Sequence, residues 1–160
     1  MAPAPVAALV LALLASGCAF RRGDPLPEEP PADFALEVVV REAAAWPWDG
    51  RVSFGTGGTV DYDVTFKEPP SNRRGSEPLE ADARGEAWAA VVAAGFFDRV
   101  PVPEGESDGP VVVEGRALRL DGRWVGDPSG DEALAALLGA LRRAAPPRVF
   151  RPVPAGDPPK

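Results

Sequence analysis

The chain has 160 residues, no histidine and one cysteine. Imidazole acid–base chemistry, Ser-His-Asp triads, Cys/His zinc sites and an internal disulfide are therefore excluded. The formal charge of −7 disfavours contact with nucleic-acid phosphates, and hydrophobic residues at 45% suffice for one modest core.

Residues 1–17 carry no charged side chain. Val6 to Ala15 is an apolar run of ten residues. A helix needs about twenty residues to cross a bilayer, so the run has the size of a signal-peptide hydrophobic region instead. It leads into Ala15-Ser16-Gly17-Cys18. Small residues before a cysteine, directly after such a run, resemble the lipobox of bacterial lipoproteins, with Ala15 where leucine is commoner. The resemblance implies a signal peptide over 1–17, cleaved between Gly17 and Cys18. It also implies a diacylglycerol thioether on the Cys18 sulfur and a further acyl chain on the freed amine. Several acyl chains on one residue meet the requirement for stable anchoring. Enterobacterial lipoproteins held at the inner membrane carry aspartate after the cysteine. Ala19 stands there in this chain, so the same resemblance implies the outer membrane of a bacterial cell envelope.

After Cys18, residues 19–32 contain four prolines and five charges. They read as a Pro-rich tether. In a polyproline II conformation its fourteen residues would reach roughly 40 Å from the membrane. Arg21 and Arg22 would lie beside the lipid and contact anionic headgroups, at about 1 kcal/mol each.

The segment 33–145 is the part with sustained periodicity. Phe34, Leu36, Val38 and Val40 alternate with Glu37 and Arg41 and predict a first strand. Residues 43–50 read as a connection carrying Trp46 and Trp48. Residues 51–66 read as a hairpin turning at Gly55-Thr56-Gly57-Gly58, with Val60, Tyr62, Val64 and Phe66 on one face. Residues 68–77 read as a polar loop, and Leu79 and Ala81 as a short edge strand. A helix follows, capped by Asp82, with its body over 83–94 and Gly95 after its last turn. Val111 to Val113 predict a buried strand. A second hairpin is expected over 116–126, turning at Asp121-Gly122. The final helix is expected to start at a Ser129/Glu132 capping box, with Leu134, Leu137, Leu138 and Leu141 as its apolar stripe and Arg142 and Arg143 at its C-terminal dipole. The implied fold is α+β, an antiparallel sheet of about five or six strands with two helices packed on one face. Residues 146–160 hold six prolines and read as a disordered tail, although Val149, Phe150 and Val153 could pack back onto the domain.

The hairpin GTGGTVDYDV (Gly55 to Val64), the helix ending AAGFFD (Ala93 to Asp98) and the Leu-rich last helix resemble small bacterial envelope domains of unknown function. The element order is also similar to that of emfourin-type metalloprotease inhibitors, and implies secreted-protease inhibition as an alternative function. No inhibitory residue carries over, because no inhibitor motif matches residue by residue.

Chemistry-bearing residues are few. The Gly55–Gly58 stretch lacks the GK[ST] ending of a P-loop and a helix after it. Asp61 and Asp63 share a strand face, where they could chelate calcium or act as paired hydrolytic carboxylates, or form an ordinary solvated face. Glu104, Glu106 and Asp108 form a second acidic cluster in a loop, without the alternation of an EF-hand. With Lys67 the only lysine inside the domain, no nucleophile has a recognisable base. No catalytic, metal or cofactor site is assigned. Trp46 and Trp48 are the candidate partner-binding residues, since exposed tryptophans mark interface hot spots; folding back onto the sheet is their other use. The sequence therefore predicts a non-enzymatic envelope lipoprotein, membrane-bound through Cys18, with a protein partner and no nucleic acid. A carboxylate-based hydrolase or calcium binder is the less favoured chemistry.

Overall fold

Alternate residues of each central strand point to opposite faces, so that one face is buried in the core and the other is left more exposed. The computed structural model describes residues 20–43, 46–103, 105 and 109–152. In chain order the elements are β1 (Ala35–Val40), β2 (Trp48–Phe54), β3 (Thr59–Phe66), β4 (Ser71–Pro78), α1 (Ala81–Ala93), a 3-10 turn (Phe96–Asp98), β5 (Val111–Ala117), β6 (Leu120–Gly126) and α2 (Glu132–Ala144). The six strands form one sheet in the order β4-β3-β2-β1-β5-β6, antiparallel at every pairing. This is the expected α+β fold.

The core lies between one sheet face and the two helices. Leu36, Val38, Val52, Phe54, Val60, Val64 and Val113 point into it from the strands. Trp88 and Val91 of α1 and Leu134, Leu137, Leu138 and Leu141 of α2 meet them. Trp88 joins the helix to the sheet through Phe34, with ring centroids 5.1 Å apart. Gly95 adopts the left-handed conformation (φ 61°) that ends α1 and turns Phe96 and Phe97 back into the core.

Several elements differ from the sequence reading. Residues 71–78 are a full strand, β4, and not a loop. It forms the sheet edge and carries no apolar stripe, so periodicity is silent there. Leu79 and Ala81 form no strand. Leu79 is a buried link whose N–H donates to the Gly58 carbonyl at 2.8 Å, and Ala81 begins α1. The N-cap of α1 is Glu80, and Asp82 sits in the first turn. For α2 the cap is Asp131, whose carboxylate accepts from the Leu134 N–H at 3.0 Å. Ser129 is instead held by Asp127.

The β5–β6 hairpin turns at Leu118-Arg119, three residues before the expected Asp121-Gly122. Both turn residues have positive φ, 54° and 64°. Asp33 explains how two ordinary side chains hold this conformation: its carboxylate accepts from both N–H groups at 2.9 Å. Gly122 lies inside β6, directly opposite Gly115 of β5. A Cβ at Gly122 would stand 2.5 Å from the Phe96 ring, and one at Gly115 2.9 Å from it. The glycine thus makes room for Phe96 and does not form the turn.

The tether reading is also corrected, and the start of the tail takes the packed alternative. Part of the Pro-rich tether lies against the domain, as described below. In the tail, Val149 is buried and Phe150 stacks near Trp48 with centroids 5.4 Å apart. Val153 lies outside the described residues.

Candidate functional site

Trp48 starts β2 and shares its inner face with Val52 and Phe54. It is 2% exposed. Trp46 packs beside it at a centroid distance of 6.2 Å and is half-buried. Together with Phe150 they close the seam between β2 and Leu138 and Leu141 of α2. The expected tryptophan-bearing surface loop is thus mostly a cap on the core, and Trp48 presents no surface to a partner. The periodic signal was there, since positions 48, 50, 52 and 54 share a face. Gly50 interrupted it, because a Cβ there would run into the Asp63 carbonyl.

Asp61 and Asp63 project from the solvent face of β3. Asp63 pairs with Arg74 across the β3–β4 ladder, its Oδ2 accepting from Nε at 3.0 Å. Asp61 is exposed and stands opposite Ser53 and Ser76. No group of three or more His, Cys, Asp or Glu among the described residues is placed to hold a metal ion. The calcium reading thus gains no third ligand there. Glu104, Glu106 and Asp108 lie outside the described residues, as do Gly17 and Cys18.

The sequence reading overlooked the charge order on the open sheet face. Arg51 of β2 faces Asp63 of β3 and reaches diagonally to Glu37 of β1, at 3.5 Å. Ser53 Oγ donates to the same Glu37 carboxylate at 3.0 Å. Glu37 stands directly opposite Glu114 of β5, a juxtaposition that like charges disfavour. Glu114 is met by Arg123 of β6 at 2.9 Å. The result is a row running Arg74, Asp63, Arg51, Glu37, Glu114, Arg123 from one sheet edge to the other. Each side chain is unremarkable on its own strand; the row exists only because of the register. Exposed pairs of this kind contribute about 0–1 kcal/mol each, so the row defines a charge pattern more than it stabilises the fold. Residues 99–103 wrap the β6 edge and protect it. The Arg99 guanidinium lies 3.4 Å over the Trp124 ring, and Arg123 donates to the Pro103 carbonyl at 2.7 Å. Pro101, Val102 and Pro103 wall a shallow groove over Glu37, Ser53, Glu114 and Arg116.

The second site is the docked N-terminal segment. Arg22 donates to the carbonyls of Phe97 (3.0 Å), Arg99 and Asp121 (3.1 Å). The Trp88 indole N–H donates to the Pro27 carbonyl at 2.9 Å. Arg84 reaches the Pro31 carbonyl at 2.9 Å, and Leu26 packs on the core. Prolines supply these acceptors without a competing N–H of their own. Residues 22–34 therefore run along the domain and do not extend away from it. Arg22 is committed to three carbonyls and is not a headgroup ligand.

Asp33 sits where this segment enters β1. The Arg119 and Leu118 N–H groups hold its carboxyl below the ordinary carboxylate range, outweighing its partial burial. Asp127 is likewise lowered by Ser129. Both shifts follow from turn hydrogen bonds. The sequence matches no protein-family model and no curated protein.

Proposed function

We propose that the chain is a lipid-anchored protein of the bacterial cell envelope, non-enzymatic, whose folded domain binds another protein through the open face of its sheet. The observation that carries the binding reading is the cross-sheet charge row from Arg74 to Arg123, laid out on a face that no helix among the described residues covers. An ordered pattern of opposite charges selects partners and steers encounter more than it adds affinity. Trp46, half-buried at the other side of the sheet, has at most a supporting part. The anchoring reading rests on the apolar run that ends at the lone Cys18. The outer membrane is the proposed destination, through Ala19.

Two experiments test this. Labelled fatty acid should enter the wild-type chain and not Cys18→Ser; equal labelling of both would remove the anchor. Crosslinking in the intact envelope should capture a discrete partner. Arg51→Glu should abolish the capture while leaving the thermal transition within a degree or two, as expected of a surface change. Capture indifferent to Arg51→Glu and to Glu114→Arg would remove the open face from the account.

A further inference from the structure

Four peptide steps, with three residues between, separate Cys18 from Arg22, the first residue clamped to the domain. That length of chain spans at most about 14 Å when fully extended. The headgroup zone on each side of a bilayer is itself about 5–8 Å thick. If Cys18 carries lipid, Arg22 and the carbonyls it binds therefore stand at or just above the headgroups. The surface around that clamp has a distinct character. Val100, next to the Arg99 carbonyl that Arg22 binds, is 82% exposed. It is the one exposed large hydrophobic among the described residues. Arg99 adjoins it, and Arg21 precedes the clamp. Arg119 caps the hairpin two residues from Asp121, whose carbonyl Arg22 also binds.

Of the described acids at this end, only Asp121 makes an ion pair. Asp24 accepts from the Arg21 N–H, Asp33 from the hairpin amides, and Asp121 pairs with Arg116. Asp98, like Asp24, Asp33 and the exposed Glu28 and Glu29 of the docked segment, has no ion-pair partner among the described residues. Arg21 and Arg119 make no ion pair there either, so their charges face outward.

We propose that this end of the domain, with Val100 as an apolar tip and Arg21 and Arg119 as its outward-facing charges, lies on the anionic headgroup layer of the membrane that holds Cys18. The proposal rests on the anchored reading of Cys18 and goes beyond it. A flexible tether would leave orientation free, whereas the docked one selects the face. For a chain of charge −7 the selection matters, because a random approach to an anionic bilayer is repelled. The open sheet face then stands roughly edge-on to the membrane and stays accessible.

The test uses the full chain, purified from a bacterial host and reconstituted in phosphatidylcholine vesicles containing phosphatidylglycerol. Its intact mass is measured first, to read lipidation independently. Val100→Cys and Asn72→Cys, the latter exposed at the opposite end of the sheet, each carry an environment-sensitive fluorophore. Headgroup-spin-labelled lipid should quench the Val100 label strongly and the Asn72 label little. Adding Arg22→Ala should reduce the Val100 quenching towards the Asn72 value with the lipid mass retained. A lipidated protein in which both labels are quenched alike, or neither is, overturns the proposed contact and leaves the anchor standing. A protein without the added lipid mass overturns both.

Discussion

Two amide groups at the tip of the β5–β6 hairpin are held by one carboxylate, that of Asp33. Replacing Asp33 with Ala leaves Leu118 and Arg119 in the left-handed region without their acceptor. We expect a loss of about 2 kcal/mol in urea denaturation. The lowered pKa of Asp33 fixes the sign of its pH effect. Its contribution is complete above the ordinary carboxylate pKa of about 3.9 and disappears as pH falls through the lower folded value. The stability gap between wild type and Asp33→Asn should therefore be constant from neutral pH to about pH 5 and shrink below about pH 4. A gap that widens on acidification would be the wrong sign. A second residue-scale prediction concerns Gly122. Gly122→Ala should cost about 1–3 kcal/mol by overpacking against Phe96, and Phe96→Leu should relieve part of that cost in a double-mutant cycle. These residues show where the sequence misled. Asp-Gly is the commonest hairpin signal, but here the glycine answers to a phenylalanine 26 positions earlier in the chain. The real turn depends on an aspartate 85 residues from Leu118. Neither partner is local, and local turn chemistry could not show them.

Among the elements, the central strands and both helices were legible because each buries one face, with period 2 or 3.6. The edge strand β4 was not. Its inner-facing positions, Arg73, Gly75 and Glu77, oppose Val64, Tyr62 and Val60 without continuing their apolar stripe. The backbone ladder makes it a strand, and such a ladder leaves no compositional trace. Arginine and proline along it also suit an edge that must not pair with other chains. The tether was misread for a related reason: proline content marks absence of regular structure, not absence of contact. The docked segment should show this in hydrogen exchange. Amides of 20–34 should be protected in wild type, with Arg22→Ala raising exchange near Phe20–Asp24 and Trp88→Phe raising it around Leu26. At the other end, Val149→Ala should cost about 1.6 kcal/mol, two buried methyl(ene) equivalents. A disordered tail would give no measurable change at that position.

For the whole molecule, the sheet has two unlike faces and the chain enters it at one end. Two helices cover one face; an ordered row of charges occupies the other. The segment that would join lipid to domain is folded onto the domain, at the end where Val100 protrudes. The lone cysteine and the lack of histidine were plain from composition. The charge row and the docked segment required strand register and long-range contacts, which no local pattern encodes. The account predicts a protein that lies on its membrane and offers the sheet face sideways to a partner. Neutron reflectometry on a supported bilayer carrying the full-length lipidated chain tests this most directly. Protein density should begin at the headgroups with no intervening water layer. A hydrated gap approaching the roughly 40 Å of an extended tether would contradict it.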